Sequence, residues 1–243
     1  MTTATLSPSL SRSDFEAELD QDIRKRHPFL HHRFPQMLIA GELSMDHLRG
    51  FGLEFEHFLR AAPRHFFCLG ANAPDVIPGP VDIRHNFAEN LNDDMGIANP
   101  PSDHFQIFRR FAYAIDLTEE QLENHRALPT TTAFNLALMH MAKDLPYWEG
   151  IAAISWANES LFALGLTDEW HNALQKHYGL RPDQIFLPPA EEETEHVQMP
   201  RSIVLDHAES ARMQQRVRDV LETVYDLWTV FFDGLYNTYV RPA

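Results

Sequence analysis

Between residues 43 and 69 the apolar side chains Leu48, Phe51, Phe55, Phe58 and Leu59 return at intervals of three and four. That spacing places them on one face of an α-helix. A face of this length has to be covered by apolar surface of similar extent. The rest of the chain offers mostly helical patterns and few strand signals, so the pattern permits helices packed on helices.

Ser13-Asp14-Phe15-Glu16 has the form of a capping box and predicts a helix that ends before Pro28. A short helix follows over 32–40, stopped by Gly41. Pro63 is expected to kink the long helix, and the Pro/Gly-rich stretch 71–80 is expected to be a loop. Residues 81–95 form the next helix, closed by Gly96. Asn99-Pro100-Pro101-Ser102 forces a turn, with Ser102 or Asp103 available to cap a helix bearing Phe105, Phe108, Phe111 and Ala112 on one face. Apolar helices over 133–143 and 148–164 are separated by Pro146. Shorter ones are expected over 169–178 and 185–197, and a long one over 208–240. With no internal repeat or linker, the expectation is an all-α, compact helical bundle of seven to nine helices. It would form a single domain over 13–243, behind a disordered Ser/Thr-rich tail at 1–12.

Thirty-five acidic against 20 basic residues give a formal charge of −15. Such a surface repels nucleic acid and anionic membranes, so neither is an expected partner. No apolar run approaches the roughly 20 residues that span a bilayer. Cys68, the single cysteine, rules out an internal disulfide and suits a reducing cytoplasm. Its setting, Phe66-Phe67-Cys68-Leu69, looks like inert core rather than the polar pocket a reactive thiol needs. The expected partner is a small-molecule substrate, and a homodimer is an open option.

The chemistry-bearing residues are carboxylates and imidazoles on apolar helices. Glu159 sits among Trp156, Phe162 and Ala163, where a buried carboxylate is costly unless it is paired or bound to a metal. Glu193 and His196, three residues apart, share a helix face and can grip one cation together, although the surrounding acidic run also suits a solvated face. His104 opens the Phe-rich helix, and Asp93 and Asp94 precede Gly96. Taken singly these suit ordinary surface positions. Together, oxygen and nitrogen donors on several helices are what iron or manganese requires. Trp148, Trp156, Phe105 and Phe108 could line an aromatic-friendly pocket, but aromatics at helical spacing more often fill cores.

The segment Asn90-Leu91-Asn92-Asp93-Asp94-Met95-Gly96, a loop, and then the helix opened by His104 resembles the acid-Gly…His-helix segment of the haem-oxygenase-like diiron oxidases. These are related to the thiaminase-like, pyrroloquinoline-quinone synthase-like and chlamydial death-domain-associated proteins. Tyr178-Gly179-Leu180 through Ile185-Phe186-Leu187 to His196 resembles the segment bearing their His-x3-Asp-x2-His signature. The resemblance runs from about residue 43 to 240. It implies a haem-oxygenase-like fold and metal ligands at Asp94, His104, Glu159, Glu193 and His196, with Asp94 in place of the family's Glu and Glu193 in place of its Asp. The signature's first His falls on Pro189, which cannot ligate through its side chain. Glu192, His85 and His207 are candidate substitutes.

The implied cofactor is Fe(II), two ions per chain with one labile, and dioxygen is the implied co-substrate. The implied enzyme oxidises an amino-acid-derived or fatty-acid substrate by C–C cleavage, desaturation, N-oxygenation or nitrile formation. A ferritin-like diiron pattern competes, using Glu54 and His57 as a second Glu-x-x-His pair with Glu16 or Glu18. Two further alternatives are a cofactorless oxidase of the pyrroloquinoline-quinone synthase type and a non-enzymatic helical interaction protein.

Overall fold

The structure, a computed structural model, describes residues 8–74, 83–100, 103–187 and 190–241, with backbone alone for residues 86, 90, 93 and 190–196. Its helices are α1 (Arg12–Arg26), α2 (Pro28–His31), α3 (Arg33–Ala40), α4 (Met45–Asn72), α5 (Ile83–Asp94), α6 (His104–Ala114) and α7 (Glu119–Asn124). They continue as α8 (Pro129–Asp144), α9 (Tyr147–Ile151), α10 (Ala157–Ala163), α11 (Asp168–Tyr178), α12 (Ala190–His207) and α13 (Ala211–Leu235). Among the described residues there is no strand, so the all-α expectation holds. The helices outnumber the expected seven to nine, in part because α2, α7 and α9 are only four, six and five residues long. Segments so short carry too little periodicity to be separated in sequence.

The periodic stripe occupies α4, which opens on a capping box between Ser44 and His47 and spans about 42 Å. Leu48, Phe51, Phe55, Phe66 and Leu69 on its face are buried. Pro63 lies inside α4 without ending it, and the helix continues to Asn72, into the stretch expected to be a loop. α4 packs along α8, α6 and α5, while α13 packs against α8 and reaches α1, α2, α3 and α4. The α8–α13 crossing is close because residue 234 is glycine: a Cβ there would overlap the Thr130 side chain.

Several boundaries differ from expectation. Ser11 rather than Ser13 caps α1, accepting from the Asp14 amide. Just ahead of it, Gln214 and the Leu10 backbone exchange two 2.9 Å hydrogen bonds, although residues 1–7 of the expected tail lie outside the described residues. Residues 185–187 are not helical, and α12 begins only at Ala190. A residue before proline is driven out of the helical region, and Pro188 and Pro189 follow directly. Phe186 in this connection sits at 4.8–5.8 Å between ring centroids from Phe51, Phe55, Phe108 and Phe111, tying α4 to α6. Ser210 caps α13, and a π-helical turn over Tyr236–Val240 follows it.

Candidate functional site

α4, α5, α6, α8 and α10, the π-helical turn before α10 and the 185–187 connection enclose a cavity of about 120 Å³. Its walls are mostly apolar, with Phe55, Phe58, Phe66, Phe162 and Phe186 contributing rings. Into it reach Asp94 from the end of α5, His104 from the start of α6 and Glu159 from α10. Asp94 and His104 also border a second recess of about 260 Å³, together with Arg60, Pro63, Met95, Asp103 and Phe105. The two acid–base residues therefore border both an inner chamber and an outer recess.

Local structure places each of them. Asp103 caps α6 by accepting from the Gln106 amide, which fixes where His104 begins the helix. His104 Nδ1 lies 3.4 Å from Asp94 Oδ1. Two donors bound to one cation at about 2.1 Å each stand roughly 3.0–3.4 Å apart, a range that includes this separation.

Glu159 owes its position to a π-helical turn, Ala152–Trp156, immediately before α10. Such a turn shifts the hydrogen-bond register and leaves carbonyls without their helical partners. The Asn158 amide supplies them, donating to the Ala153 and Ile154 carbonyls at 2.8 and 2.9 Å, while its Oδ1 accepts from Trp228 Nε1 at 2.9 Å. Ser155, within the turn, donates to Glu159 Oε2 at 2.5 Å. π-bulges of this kind occur disproportionately at functional sites.

The remaining expected ligands are less fully placed. Glu193, His196 and Glu192 lie on α12, but their side chains, like Pro189 altogether, are outside the described residues. Among the described residues no three potential ligands converge on one point. His85 is exposed and 3.1 Å from Glu89. His207 is engaged by the Tyr147 hydroxyl at 2.7 Å and the Ile203 carbonyl at 2.9 Å, and does not line the cavity. Trp148, Trp156 and Phe108 are core, whereas Phe105 borders the outer recess.

Glu54, central to the competing ferritin-like pattern, has a different role. It is fully buried and accepts from His125 Nε2 at 2.6 Å, the Leu128 amide at 3.0 Å and the Tyr239 hydroxyl at 3.1 Å. Burial and the adjacent carboxylate push the Tyr239 phenol pKa up, keeping the hydroxyl a donor. Glu54 thus joins α4, the start of α8 and the last turn of the chain.

Two cavity-wall features were not legible as functional in the sequence. Asn158 stands beside Glu159, and its only signal was an amide on an otherwise apolar helix. His65 lines the cavity from α4 and is 2% exposed, with Nε2 lacking a hydrogen-bond partner. Its signal was a lone imidazole in an apolar run.

Comparison with known proteins bears on the fold and the family. The chain is 22% identical over 237 residues to a Nitrosomonas europaea protein named 4-aminobenzoate synthase, covering 95% of this chain and 94% of that one. It is 24% identical over 238 residues to a Pseudomonas aeruginosa pyrroloquinoline-quinone synthase, covering 95% and 90%. A solved Shewanella denitrificans domain with a haem-oxygenase-like fold superposes with a TM-score of 0.75 at 14% identity, covering 95% and 94%. The fold is therefore haem-oxygenase-like, as the sequence resemblance implies. Residues 51–229 match the family model for iron-containing redox enzymes, and the chain accordingly belongs to that family of oxidoreductases.

Proposed function

We propose that the protein uses Fe(II), in a diiron centre, and dioxygen to oxidise a small, largely apolar or aromatic molecule of the amino-acid-derived or fatty-acid class. The observation that carries this reading is that Asp94, His104 and Glu159, from three helices, line one largely apolar cavity. Two carboxylates and an imidazole are suitable donors for iron, and the Asp94–His104 separation fits a shared cation. Glu193 and His196 are the further ligands expected from sequence. Bound iron would supply one-electron and dioxygen chemistry.

The chain's own residues set the conditions around it. Ser155 holds one oxygen of Glu159, which fixes how the carboxylate is presented at the cavity wall. The phenylalanine walls bind an apolar substrate body and exclude bulk water, which strengthens electrostatic interactions inside. Arg60 and Asp103 at the outer recess provide polar contacts on the way in. Among the described residues no helix is long and apolar enough to cross a membrane, and the acidic surface favours no nucleic-acid partner.

The test is anaerobic reconstitution with Fe(II), desalting, and exposure to dioxygen. About one to two irons per chain should be retained, as the oxygen and nitrogen donors allow, with oxygen uptake that is lost in His104→Ala. A second reading, a metal-independent oxidase of the pyrroloquinoline-quinone synthase type, is favoured by the full-length similarity to the Pseudomonas protein. It prevails if no iron, manganese or zinc is retained.

A further inference from the structure

α4 gives the inner cavity Phe55, Phe58, Leu59, Ala62, His65 and Phe66, and His65 is the one titratable side chain in that set. It is 2% exposed and its Nε2 meets no hydrogen-bond partner. An unpaired buried nitrogen costs stability, so a position that only filled space would be better served by the Phe or Leu found around it. Burial pulls the His65 pKa down to about 4, so at neutral pH the ring is uncharged and one nitrogen keeps its lone pair. Neutral imidazole is the commonest protein ligand for metals. Other walls of the same cavity carry Asp94, His104 and Glu159. The alternative imidazoles are occupied elsewhere, His85 by Glu89 and His207 by Tyr147 and the Ile203 carbonyl.

We propose that His65 is a metal ligand of this cavity, bringing from α4 the imidazole whose expected place is held by Pro189. The assignment rests on the iron reading above. It gives α4, the helix at the centre of the fold, a direct bond to the ion.

The test compares the full-length wild type with His65→Phe and the smaller His65→Asn. Each is titrated anaerobically with Fe(II), and each is loaded with Co(II) to record its visible ligand-field spectrum. Thermal unfolding of the metal-free proteins is followed in parallel. At least one of the two variants should fold with an unfolding temperature near that of wild type. That variant should bind its most weakly held iron at least tenfold less tightly and show an altered Co(II) spectrum. Unchanged iron affinity and an unchanged Co(II) spectrum in a folded variant overturn the assignment and leave the iron reading intact. A wild type that binds neither Fe(II) nor Co(II) overturns both.

Discussion

Replacing Asn158 by Leu tests whether the π-helical turn is what aims Glu159 into the cavity. The substitution keeps a similar volume but removes an amide making three hydrogen bonds: two to the Ala153 and Ile154 carbonyls and one from the Trp228 indole. All three partners lie where water is scarce, since Ala153, Ile154 and Trp228 are 0%, 4% and 2% exposed. Each stranded buried group costs about 1–3 kcal/mol. The carbonyls can recover part of this if the turn reverts to α-helical register, so the net loss should be roughly 2–4 kcal/mol. For a chain of this size that corresponds to a fall in Tm of about 5–15 °C. Reversion would also rotate Glu159 away from Asp94 and His104. Calorimetry should therefore show the lower Tm, and Fe(II) titration should show weaker binding beyond what partial unfolding explains. A variant with Tm within 1 °C or so of wild type and unaltered iron binding would refute the argument that Asn158 sustains the turn.

Glu54→Leu strands the donors of His125, Leu128 and Tyr239, and should lower stability by about 3 kcal/mol or more in denaturant titrations. Iron content of the folded fraction should stay unchanged; loss of metal with intact stability would return Glu54 to the ligand set. Gly234→Ala forces a Cβ into Thr130 and should cost about 1–3 kcal/mol; equal unfolding midpoints for mutant and wild type would mean that the α8–α13 crossing can open freely. His27 is fully buried, and desolvation lowers its pKa to about 3, against 6.5 when exposed. The unfolded chain then binds the extra proton, so stability is full above about pH 6.5 and falls as pH drops toward 3, by roughly 2 kcal/mol at pH 5. His27→Asn, which keeps a cap acceptor for the Phe29 amide, should flatten that slope; an identical pH dependence in the two proteins would place the acid sensitivity elsewhere.

Much of the architecture was legible because apolar spacing records which helix face is buried. The stripe on α4 and the Gly41 stop follow from sequence and are found in the structure, and of the two caps the sequence offered for α6 the structure uses Asp103. Glu159 was readable as a candidate because a carboxylate on an apolar helix calls for a partner, whereas Asp94 and His104 were marked out by the family resemblance; the structure places all three on the wall of one cavity. Long-range partners were not readable. Glu54 and Glu159 look alike in sequence, each an acid on an apolar helix. What separates them is that His125, Leu128 and Tyr239 surround the first, while the second faces a chamber. The π-helical turn was hidden because it needs a distant Trp228 and a neighbouring Asn158 to hold it. The start of α12 was misplaced because periodicity in 185–187 reflects burial of Ile185, Phe186 and Leu187 in an irregular connection.

The hydrogen bonds joining distant parts of the chain have a consequence for how it is made. Leu10 pairs with Gln214 across 204 residues, His32 with Asp233 across 201 and Tyr239 with Glu54 across 185. Contacts this remote slow folding, because loop-closure entropy is spent before any contact forms. During synthesis α4 leaves the ribosome well before the turn bearing Tyr239, an interval of roughly 10–30 s at about 5–20 residues per second. For most of that time the phenylalanine stripe of α4 lacks its α13 cover, and throughout it Glu54 lacks the phenol that completes its shell. The order of translation, rather than the strength of any one helix, thus sets when the core can close.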